Sequence, residues 1–153
     1  MLEEEKENIL KLTASLKEKT DRKTANTLNL DMLERCVKRI IEFSDSCTEC
    51  RNFFLETEKI LKELEVNPNS INKALLENYK LNLKKIIVHL QKEHKLVKDG
   101  QYFELYLPLG IALGLPFGLA ISNLALGFSI GLVIGSAVGS AQDASAKKKG
   151  QLI

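Results

Sequence analysis

Between residues 105 and 142 the chain has no Asp, Glu, Lys or Arg, although 27% of all its residues are charged. A solvated surface of ordinary composition is excluded there. As one helix, these 38 residues would be roughly 57 Å long, nearly twice the roughly 30 Å hydrocarbon core of a bilayer. Two membrane spans fit better than one.

Other things are missing as well. No stripe of single-sign charge exists: the lysines of the first hundred residues are interleaved with glutamates and the net charge is only +2, which gives no argument for nucleic acid. "MLEEEKENILKLTASLKEK" breaks its apolar residues with charges, so it does not read as a secretory signal. Three cysteines is an odd number, and reduced cytoplasmic thiols are the expectation. There is no Gly-rich phosphate loop, no Ser or Cys nucleophile with an identifiable base, and no Glu-x-x-His pair. Glu3, Glu4, Glu5 and Glu7 read as a solvated helix start that suits the helix dipole. No catalytic residue is assigned, and the expectation is a protein that is not an enzyme.

What is present reads as all-α. The expected plan is a cytoplasmic helical hairpin or bundle with coiled-coil character over residues 1–100, a transmembrane hairpin over 101–143, and a basic cytoplasmic tail over 144–153. Helices are expected at about 3–19, 31–65 and 70–98, with a linker at "TDRKTANTLN" and a turn at "VNPNS". Asp31 and Ser70 are suited to accept hydrogen bonds from the free N–H groups of the turns that follow them, and Asp99-Gly100 offers a stop. In the long second helix Leu33, Ile40, Cys47, Phe54 and Leu61 recur every seven residues, with Cys36, Phe43, Cys50, Thr57 and Leu64 three positions later. The third offers Leu76, Tyr79, Leu83, Ile86, Leu90 and Val97 at helical spacing, interrupted by Glu93.

"CTEC" places Cys47 and Cys50 on one helix face. If the turn between the second and third helices centres on residues 67 and 68, His89 lies level with Cys47. Three soft ligands at one level suit Zn²⁺, with Glu93, His94 or water as the fourth. A thiol switch through Cys47 and Cys50 is an alternative. The competing explanation, favoured on sequence alone, is packing without a cofactor, because the seam already accounts for all three cysteines. Cys36 reads as structural on either view.

In the uncharged run Gly110, Gly114 and Gly118 are four apart, and so are Gly127, Gly131, Gly135 and Gly139. At 3.6 residues per turn that spacing keeps a strip without side chains on one face of each helix. Such a strip costs stability in water, but in lipid it lets two backbones approach closely. Ser122-Asn123 divides the run into spans of about 105–121 and 124–141. Pro108 suits the start of the first span, whereas Pro116 is interior and expected to kink it. Lys92, Lys95 and Lys98 precede the first span, Lys147, Lys148 and Lys149 follow the second, and the turn has no lysine. That bias places both termini on the cytoplasmic side of the inner or plasma membrane.

From Leu109 to Gly150 the chain resembles the glycine-zipper transmembrane hairpins at the ends of many small bacterial proteins. Ser122 stands where that pattern usually has glycine, and Pro116 departs from it too. The resemblance implies membrane insertion and self-association. The expected function is a non-enzymatic integral membrane protein that self-associates through this hairpin and the cytoplasmic helices, a homo-oligomer in the lipid bilayer; a sharper version of that expectation is a pore or membrane-perturbing effector. The alternative is a membrane-anchored metal or thiol sensor.

Overall fold

A computed structural model describes residues 3–66, 68 and 71–153. It is all-α, with α1 Glu3–Lys19, α2 Arg22–Leu28, α3 Leu30–Phe43, α4 Thr48–Val66, α5 Lys73–Glu93, α6 Gln101–Ala120 and α7 Leu124–Lys148. The chain divides into two compact units that meet in sequence at His94 and Lys95. Each is described by itself.

The first unit is a four-helix bundle of α1, α3, α4 and α5. Ion pairs fix the directions. Lys17 near the end of α1 reaches Asp31 and Glu34 at the start of α3 (2.6 and 3.1 Å), while Lys6 near its beginning reaches Asp45 past the end of α3 (3.0 Å). α1 and α3 are therefore antiparallel. Lys19 reaches Glu65 at the end of α4 (2.8 Å), so α4 runs back along α3. The Thr57 hydroxyl and Asn82 Oδ1, 3.4 Å apart, mark the antiparallel packing of α4 and α5. The result is up-down-up-down topology. Its core contains Ile9, Leu16, Leu33, Val37, Ile40, Phe54, Leu61, Leu64, Ile86 and Leu90, all buried.

The single helix expected over 31–65 is thus two antiparallel helices. The break falls on Ser44-Asp45-Ser46, where the Ser44 and Ser46 hydroxyls donate to the carbonyls of Ile41 and Phe43. Such local bonds compete with helix continuation. The seam residues are nevertheless buried, except Phe43 and Cys47, half-buried on either side of the break.

Part of the expected linker is helical: α2 starts because Asp21 accepts from the Lys23 and Thr24 N–H groups (3.0 and 3.1 Å). Its last carbonyls need partners too, and the buried Tyr79 hydroxyl donates to Leu28 O at 2.6 Å. Asn29 then adopts a left-handed conformation (φ 50°) ahead of α3, so Asp31 lies in the first turn instead of capping it. Ser70, the expected cap of the third helix, and most of the "VNPNS" turn lie outside the described residues. Asn72 supplies the cap instead, accepting from Leu75 N–H at 2.7 Å. The helix expected over 70–98 is shorter: α5 ends at Glu93, and Lys95 at φ 55° leaves the helical path. Val97 therefore lies outside any helix.

The second unit is the α6–α7 hairpin. Both helices are long and apolar enough to cross a membrane. α6 begins at Gln101 and α7 continues to Lys148, so both overrun the expected spans of 105–121 and 124–141, and the first half of the expected tail is helix. Pro108 lies inside α6, as Pro116 does. Gly100, expected to stop the preceding helix, precedes α6 with φ 76°. Ser122, at φ 54°, occupies the left-handed turn position, which explains why glycine suits that place. Asn123 caps α7 by accepting from Leu126 N–H at 3.1 Å.

Candidate metal centre and membrane hairpin

All seven ladder glycines are buried, and they face one another across the hairpin. A Cβ on Gly114 would collide with the Gly127 carbonyl and lie 2.8 Å from Gly131 Cα; one on Gly110 would collide with the Gly131 carbonyl and lie 2.7 Å from Gly135 Cα. Farther along, Gly139 lies against the backbone of Tyr102 and Phe103. The two helices touch backbone to backbone, which no residue with a side chain permits. Their large residues point outward: Leu113 is 69% exposed, Leu119 66% and Val133 61%. The Ser129 and Ser136 hydroxyls donate to carbonyls of their own helix, Ala125 O at 2.8 Å and Val133 O at 3.0 Å.

The open end of the hairpin has a device that sequence reasoning missed. Gly100 has no side chain with which to cap α6, and Asp143 of α7 does so in its place. Its carboxylate accepts from Tyr102 N–H at 3.1 Å and Phe103 N–H at 2.9 Å. Facing glycines have residue numbers that sum to about 243, so residue 143 is level with residue 100. The level construction used for Cys47 and His89 would have found this pair. Beside it, Val97 N–H donates to Gln151 O at 2.8 Å, and Val97 forms an isolated parallel bridge with Leu152.

At one end of the bundle, the α3–α4 reversal and the end of α5 bring four soft donors together. Cys47, in the reversal, and Cys50, in the first turn of α4, both approach His89 Nε2, at 3.3 and 3.4 Å. His94, just past α5, places its Nε2 3.3 Å from Cys50 Sγ. The ligand atoms of Cys47, Cys50, His89 and His94 all lie within 4.8 Å of one another. The level placement of Cys47 and His89 is therefore seen. Of the alternatives for a fourth position, His94 is in the group, whereas Glu93 is exposed and is not. Cys36 is buried elsewhere in the bundle.

Neighbouring groups hold the cluster in place. His89 Nδ1 lies 2.6 Å from a Glu49 carboxylate oxygen, which can only accept, so Nδ1 carries the proton. Phe43 stacks on the His94 ring at 3.9 Å with 17° between planes, and Phe53 flanks His89 at 5.4 Å. Burial, then the Cys47 hydrogen bond, pushes the Cys50 thiol up to about 12; burial and then His89 lower His94.

The chain matches no protein-family description, no curated protein and no solved structure.

Proposed function

We propose that the chain is a non-enzymatic membrane protein, in which α6 and α7 cross the inner or plasma membrane as a glycine-packed hairpin and hold the bundle on the cytoplasmic side. One observation carries this reading: the glycine faces of α6 and α7 occupy each other while the large apolar side chains point outward. In water that arrangement exposes the wrong surface; in hydrocarbon it turns a mainly apolar face outward, with the Ser129 and Ser136 hydroxyls bonded to their own helix. The lysine bias supports cytoplasmic termini.

An anchor is favoured over a pore. The ladders find their partner within one chain, and the Ser129 and Ser136 hydroxyls are bonded to their own helix, so neither feature calls for a homo-oligomer around water. A second reading, a metal or thiol sensor on this anchor, is favoured by the convergence of Cys47, Cys50, His89 and His94.

The test uses the full chain, tagged at both ends and expressed in a bacterial cell. It should stay in the pellet through an alkaline carbonate wash. Protease should remove both tags from inside-out vesicles and neither from right-side-out vesicles. Release by carbonate overturns the anchor; cleavage from outside overturns the orientation.

A further inference from the structure

We propose that Cys47, Cys50, His89 and His94 form a closed, tetrahedral Zn²⁺ site that ties the α3–α4 reversal to the end of α5. The distances support it. Zn²⁺ bonds of about 2.3 Å to sulfur and 2.0–2.1 Å to nitrogen give tetrahedral S···N edges of roughly 3.5 Å. The three contacts here are 3.3, 3.4 and 3.3 Å.

Proton accounting favours a cation over packing. Because Glu49 holds the His89 proton on Nδ1, neutral His89 presents one lone pair on Nε2, and both sulfurs aim at it. One S–H can occupy that lone pair, leaving the second sulfur against an acceptor with nothing to give. Cys50 is shared further with His94 Nε2. Two thiols and two imidazoles cannot satisfy all three contacts with well-directed hydrogen bonds. A single cation at their centre satisfies them together, two thiolates and two neutral imidazoles each directing a lone pair at it.

The donors select the ion. Two sulfurs and two imidazole nitrogens suit Zn²⁺, whereas Mg²⁺ and Ca²⁺ require oxygen. Four protein ligands leave no open position, as in structural zinc sites. The surroundings fit the same role: Glu49 fixes the His89 tautomer as the carboxylate of a carboxylate–histidine–zinc relay, and Cys50 N–H donates to Cys47 Sγ at 3.4 Å. Glu49 is a positioning residue and touches no metal.

The site does not depend on the membrane anchor, and it supplies the ligand for the sensor reading; metal content and carbonate extraction fail separately. Full-length protein purified in detergent should contain about one Zn²⁺ per chain by elemental analysis. Replacing the zinc with Co²⁺ should produce the intense visible bands of a tetrahedral ion and a thiolate-to-cobalt charge-transfer band. Cys50→Ser and His94→Ala should lose the metal and the spectrum, while Cys36→Ser keeps both. Glu49→Ala should keep the tetrahedral spectrum with affinity reduced by about tenfold or more. Substoichiometric zinc in the wild type, or Co²⁺ binding without the charge-transfer band, overturns the site. So does full metal retention by Cys50→Ser with His94→Ala. If those variants fail to fold, the wild-type cobalt spectrum and the Cys36→Ser control decide.

Discussion

The bundle and the hairpin use leucine in opposite ways. In the bundle, Leu64 and Leu90 are fully buried among other side chains; in the hairpin, Leu113 is 69% exposed and the contact face is backbone. Water drives the first arrangement, because burial removes apolar surface from it. In the lipid proposed to surround the hairpin that drive is absent, so what remains is how closely two helices can approach. A buried position in this protein therefore calls for the largest side chain that fits in one unit and for no side chain in the other.

The largest expected loss tests the side-chain core. Phe54→Ala should cost about 3–5 kcal/mol, lowering the midpoint of bundle unfolding by more than about 10 °C in circular dichroism, and leave the hairpin compact. Little change would mean that this core is not closed around Phe54. Next comes the hairpin. In an exposed helix Gly→Ala stabilises by about 1 kcal/mol, whereas Gly131→Ala should destabilise by about 1–3 kcal/mol, because the new methyl collides with the Gly110 carbonyl. Hairpin compactness in detergent, read from electrophoretic mobility, checks the sign; a more compact variant would refute the backbone contact. The smallest effect belongs to the cap. Asp143→Ala should cost about 1–2 kcal/mol, with faster hydrogen exchange at Tyr102 and Phe103 as its signature.

Much of this was legible in the residues. The ladders are visible because helical periodicity and glycine have one physical reading in an uncharged run. The meeting of Cys47 and His89 followed from one turn position and antiparallel packing. The reversal between α3 and α4 was hidden for a specific reason: Leu33, Ile40, Phe54 and Leu61 keep a seven-residue phase across the break, and a phase says which face is inward, not whether the chain turns back. "SDS" at 44–46 was the available signal, since serine and aspartate clusters compete with helical hydrogen bonds. His94 stayed unresolved beside Glu93 because its position depends on where α5 stops, and helix ends are the least determined part of a periodic pattern. Asp143 was overlooked as the last charged residue before a basic tail, when its position along the hairpin made it a partner for the other helix.

Asp143 also bears on how α6 would enter a membrane. The first N–H groups of a helix normally need water or a local side chain, and Gly100, which precedes α6, offers no side chain. Here α7 brings the acceptor with it. If α6 and α7 cross a membrane as proposed, the first turn of α6 carries these two hydrogen bonds into the headgroup layer, and the cap is complete only once α7 has inserted.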